Sequence, residues 1–158
     1  MKTITKAIAA SAALLAAGSA FAIDPSTVPA GNRLFVSGAT ATNQALYSIT
    51  LLTEANGGLC APGTIDVFVD TAGADQAIDA NDQFLIACTA SSEAQVPGPI
   101  QGQAVLIAKE SNGGSNNGTR NVARSTPLLF LNPAAPSCDA PIAATVGAGE
   151  QPYQIHGN

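Results

Sequence analysis

Short apolar runs separated by Gly, Pro, Asn and Ser set the rhythm of this chain. Residues 33–37 (RLFVS) follow a Pro-containing lead and break at Gly38, which predicts a short strand. Over residues 40–58 the period lengthens. Ala45, Ile49 and Leu52 fall at helical spacing with Leu46 beside them, Thr40 or Thr42 can cap the start, and Gly57-Gly58 supplies a stop. Residues 64–70 (TIDVFVD), 83–88 (QFLIAC) and 102–109 (GQAVLIAK) are compact β-branched, aliphatic and aromatic runs bounded by turn residues, and each predicts a strand. Residues 111–125 lack a firm apolar period, although 119–125 (TRNVARS) predicts a helix start. Residues 126–132 (TPLLFLN) form a last apolar run, and the tail that follows reads as loop, ending with no helix or strand and with His156 in a frayed terminus. Strands alternating with helix predict an α/β fold rather than a sandwich.

The first 22 residues carry Lys2 and Lys6, then an uncharged Ala/Leu stretch, then Ala20-Phe21-Ala22. A basic start, an apolar middle and a small-x-small end predict a secretory signal peptide cleaved after Ala22. The apolar run is shorter than the ~20 residues a membrane-spanning helix needs, so no anchor is expected after cleavage. The expected location is periplasmic or secreted. Removing those 22 of the 158 residues leaves 136, one domain's worth, and loss of the two lysines takes the formal charge from −5 to −7. An acidic surface with Arg33, Lys109, Arg120 and Arg124 as its fixed cations argues against nucleic acid as a partner.

Export also changes the meaning of the cysteines. Cys60, Cys88 and Cys138 read as disulfide formers rather than metal ligands or nucleophiles. Cys60 and Cys88 flank two strand-like segments, and a bridge between them is expected. Cys138 is left for a free thiol, a partner on another chain, or a partner further along a longer chain.

Two stretches carry candidate chemistry, and they share one design. Residues 34–44 (LFVSGATATNQ) and 105–121 (VLIAKESNGGSNNGTRN) both run from strand through a Gly/Ser/Thr loop to a helix start. Such a loop presents successive backbone N–H groups, the helix end adds partial positive charge, and hydroxyls donate as well. An anion can be held this way with few Lys or Arg. Other chemistries do not fit. Asp70, Asp75, Asp79 and Asp82 lack the spacing of an EF-hand loop. One histidine gives too few ligands for a zinc site, and in a frayed tail it is no base for a Ser-His-Asp triad. Neither enzyme activity nor a cofactor is expected.

"VSGATA" (36–41) and "AKESNGGS" (108–115) resemble the phosphate-type periplasmic solute-binding proteins, a family with the type 2 clamshell fold. The resemblance covers about residues 32–131. It implies that Gly38, Ala39, Thr40 and the amide of Ala41 form one wall of an oxyanion site, and that Lys109, Gly114 and Ser115 form the other. Lys109 stands where the family uses Arg, and Gly113 where it uses Ser. The family's acidic residue has no matched position, with Asp66 and Asp70 as the candidates. The implied partners are a small anionic or polar ligand, gripped as two lobes close, and an inner-membrane ABC transporter. A full clamshell needs about twice this length, so residues 23–158 are expected to form an incomplete domain of that type, and the chain a portion of a longer protein or a short relative. The alternative expectation is a secreted structural or surface protein, an adhesin or filament subunit, without small-ligand binding.

Overall fold

A computed structural model describes residues 23–70, 83–93, 95–111, 114–124, 127–128, 130–132, 142–143 and 148–157. Cys138 and the acidic stretch at positions 75, 79 and 82 lie outside them. The apolar runs become strands β1 (Arg33–Ser37), β2 (Asp66–Val69), β3 (Gln83–Thr89) and β4 (Ala104–Glu110). Two more, β5 (Ile142–Ala143) and β6 (Gln154–Gly157), come from the part of the chain that reads as loop. They form one sheet in the order β1-β4-β3-β2-β6-β5. β1 runs parallel to β4 and β2 parallel to β6, while β3 is antiparallel to both of its neighbours. With helices α1 (Ala41–Leu51) and α2 (Gly114–Arg124), this is an α/β fold on a mixed sheet.

The central strands read as unbroken apolar runs because both of their faces are covered. On one face Val67, Val69, Phe84, Ile86, Cys88, Val105 and Ile155 pack with Leu51 of α1, and Leu46 and Tyr47 lean on them. On the other face Phe68, Leu85, Ala87, Leu106 and Ala108 pack with Val28 of the lead and with Phe130 and Leu131. Arg33 pins that lead, donating from Nε to the Val28 carbonyl at 2.7 Å and from Nη2 to the Ser26 carbonyl at 3.0 Å. A disulfide joins Cys60 to Cys88, whose Cα atoms are 5.8 Å apart, and so fastens the connection between α1 and β2 onto β3.

Four expectations are corrected. First, α1 does not bury the Ala45–Ile49–Leu52 stripe. Its inward face is Asn43, Leu46, Tyr47, Thr50 and Leu51, and Ile49 is 48 % exposed. Thr50 can lie inside because its hydroxyl donates within its own helix, to the carbonyls of Leu46 and Tyr47. Second, α1 stops at Leu51, well before Gly57-Gly58, because Leu52 turns extended and forms a bridge to Glu150. Third, the helix expected to start near Thr119 begins at Gly114, inside the Gly/Asn/Ser run. Fourth, His156 is not in a frayed tail. It sits in β6 beside β2, with Nε2 2.8 Å from Asp66 Oδ1 and its ring stacked on Phe68 at 4.6 Å. The backbone of β2 supplies the ladder that the tail needs, and Asp66 supplies the polar partner that lets a histidine be buried.

Candidate functional site

β1 and β4 are adjacent and parallel, so their C-terminal ends emerge at the same edge of the sheet. β1 passes through Gly38 into α1, and β4 passes through Ser111 towards α2. The Gly38 amide donates to the Glu110 carbonyl at 3.0 Å, extending the ladder one residue past β1. The two loops therefore start side by side. From there α1 packs on one face of the sheet, while Phe130 and Leu131, downstream of α2, pack on the other. Adjacent parallel strands bring the loops that follow them to one edge of the sheet, the usual place for a ligand in an open α/β fold.

Glycines set how closely the loops approach. Gly38 has φ of +120°, a conformation that side-chain-bearing residues avoid. Across from it, a Cβ built on Gly118 of α2 would stand 2.7 Å from the Gly38 Cα and 3.0 Å from the Ser37 carbonyl oxygen. Only glycine at 118 lets α2 rest on the backbone of the first loop.

The start of α1 has no side-chain cap. Its first amides lack intrahelical acceptors by construction; of those nearby, Thr42 N–H donates to Ala39 and Asn43 N–H to Thr40. Thr40 and Ala41 are exposed, as is Ser115 in the first turn of α2. Thr40, Ala41 and Ser115 are thus placed at two neighbouring helix N-termini, where partial positive charge favours an anion.

Beneath them lies a buried polar chain. Lys109 lies in β4 on the α1 face and is fully buried. Its ammonium donates to the Gly38 carbonyl at 3.0 Å, the Glu110 carbonyl at 3.0 Å and Ser111 Oγ at 2.7 Å. Three donors thus meet three protein acceptors, so the ammonium ties the end of β4 to the first loop and is fully engaged by the protein. Burial holds its pKa below the usual lysine range, while the Glu110 carboxylate acts in the other direction. Ser111 Oγ in turn donates to Asn43 Oδ1 at 3.0 Å. Asn43 Nδ2 is buried and has no hydrogen-bond partner.

The sequence alone does not single out Asn43 or Ser111. Asn43 looks like one more polar residue in a Thr-rich segment, yet it shares a helical stripe with Leu46, Tyr47 and Thr50, and that spacing was its only signal. Of the two acidic candidates, Asp66 is engaged with His156 and shares a register row with Ala87, Leu106 and Arg33. Lys109 shares its row with Phe84 and Val36. Asp66 therefore lies three residues along the strands from the Lys109 row, away from the loops. Asp70 follows β2 at the same edge as the loops.

An apolar depression of about 300 Å³, lined by Leu34, Leu59, Ile100, Val105 and Ile107 among others, opens nearer the far end of β1 and β4. It lies away from the polar chain. Among the described residues no three His, Cys, Asp or Glu side chains converge as a metal site would need, and no helix is long and apolar enough to cross a membrane. No protein-family model, curated protein or solved structure matches the chain.

Proposed function

We propose that this chain is an exported solute-binding protein, related to the phosphate-type clamshell family. It holds a small oxyanion or similar polar ligand by backbone amides and hydroxyls, performs no bond chemistry, and hands the ligand to an inner-membrane ABC transporter. The observation that carries this reading is the pairing of two helix N-termini at the ends of adjacent parallel strands, with the Lys109 ammonium buried beneath them. Amides and hydroxyls suit a ligand whose charge is spread over several oxygens. The buried cation adds favourable potential without contact, since a charge in a dry interior is weakly screened.

Calorimetric titration of the mature protein with inorganic phosphate and with inorganic sulfate tests it. Binding of either, with a matching rise in Tm, is the expected result. Thr40→Ala and Ser115→Ala should each weaken binding by about 1–3 kcal/mol, the cost of leaving a buried group without its partner. Unchanged affinity in both variants would remove these residues from the site.

One observation favours the alternative, a structural or surface subunit. β1 is an edge strand with Leu34 and Phe35 each more than half exposed, on opposite faces of the sheet. An apolar edge of this kind pairs readily with another chain. In that case sedimentation would show self-association that phosphate and sulfate leave unchanged.

A further inference from the structure

We propose that Asn43 is a ligand-reading residue of this site, with Nδ2 donating to a bare oxygen of the bound anion. The inference rests on the oxyanion reading above and names an atom that the loop resemblance does not include. Three facts support it. Asn43 is 2 % exposed, it sits in the first turn of α1, and its Nδ2 has no partner. A buried donor left without an acceptor is costly, and buried side-chain amides are ordinarily satisfied.

The polarity of the group follows from its neighbours. The ammonium of Lys109 only donates, so Ser111 Oγ accepts from it at 2.7 Å. The single hydroxyl proton of Ser111 then goes to Asn43 at 3.0 Å. The atom receiving it must be the amide oxygen, which turns the NH2 group to the unpartnered side. Lys109, Ser111 and Asn43 therefore form a directed relay, each member polarised by the one before it. Its last donor belongs to a residue in the first turn of α1, joined through its oxygen to Ser111 at the end of β4.

An oxygen placed there must accept. A sulfate oxygen or an unprotonated phosphate oxygen satisfies the relay with a charge-assisted bond, whereas a P–OH or sugar hydroxyl can accept there only as a weaker neutral partner with its own proton turned elsewhere. Nδ2 is buried in this structure, so an oxygen reaching it has to displace the atoms that cover it.

The test uses the mature protein, with inorganic sulfate and inorganic phosphate as probes. The first measurement is the side-chain 15N–1H pair of Asn43 by NMR, in the presence and absence of saturating anion. The second is the affinity of Asn43→Asp, which keeps an acceptor for Ser111 and replaces the donor by a repelling carboxylate. The expected result is a shift and slowed exchange of the Asn43 NH2 resonances, with binding weakened roughly 10- to 100-fold in the variant, the loss of a charge-assisted hydrogen bond. Anion binding by the wild type with unmoved Asn43 resonances overturns the inference and leaves the oxyanion reading standing, as does equal affinity in Asn43→Asp. Failure of the wild type to bind either anion overturns both. Should Asn43→Asp not fold, the NMR comparison on the wild type still decides.

Discussion

At the scale of single residues, close approach and polar satisfaction explain this protein better than hydrophobicity does. Gly118 shows the first. In an ordinary helix interior Gly→Ala gains about 1 kcal/mol, but here the new methyl would meet the Gly38 Cα at 2.7 Å. Overpacking against backbone costs typically 1–3 kcal/mol, so Gly118→Ala should be destabilising by about 1–2 kcal/mol net in urea unfolding. A gain instead would mean that α2 does not rest on the first loop. Polar satisfaction explains Lys109, Thr50 and His156, three residues that composition alone would place outside. Each is buried with a specific acceptor or donor in reach. Their partners lie across a loop, in the same helix and on a distant strand, respectively. Only the Thr50 arrangement is local enough to be anticipated from neighbours in the chain.

At the scale of elements, the strands were legible and the helices partly so. β1 to β4 fall on the runs that apolar content and turn residues mark, because a strand buried on both faces announces itself by continuous hydrophobicity. α1 was legible as a helix but not in the face it buries, since Asn43 and Thr50 occupy positions that the apolar count skips. α2 was hidden for a different reason. Residues 114–118 (GSNNG) have low helix propensity, and no apolar stripe advertises them. Packing at Gly118 overrides that preference. Asn116 is exposed within α2, so Asn116→Ala should stabilise the protein by about 0.5 kcal/mol through helix propensity. No change in the urea midpoint would indicate that these residues behave as loop. β6 is not legible in the sequence because a four-residue strand containing Gln, His and Gly has no strand signature. It exists through the ladder that β2 offers and the Asp66–His156 pair.

At the scale of the whole molecule, the disulfide and the sheet order matter most. The Cys60–Cys88 bridge closes a separation of 28 residues. Loop-closure entropy for a ring of that size corresponds to about 3.5 kcal/mol at 25 °C, a large share of a domain's usual margin. Reduction under native conditions should therefore lower the unfolding free energy by about 2–4 kcal/mol in a denaturant titration. A reduced protein with an unchanged midpoint would show that packing alone holds Cys60 against β3.

The sequence by itself determined the local facts: where apolar runs make strands, and that Gly/Ser/Thr loops follow two of them. Propensity, periodicity and turn chemistry act over a few residues and are written into them. Only the tertiary structure decided that β1 and β4 are neighbours, so that the two loops meet. It also decided that Lys109 turns inward to join them through Ser111 to Asn43, and that the last residues return to the sheet. Those outcomes depend on distant partners, such as Asp66 and His156, 90 residues apart, and no local preference encodes which distant group will complete a buried hydrogen bond.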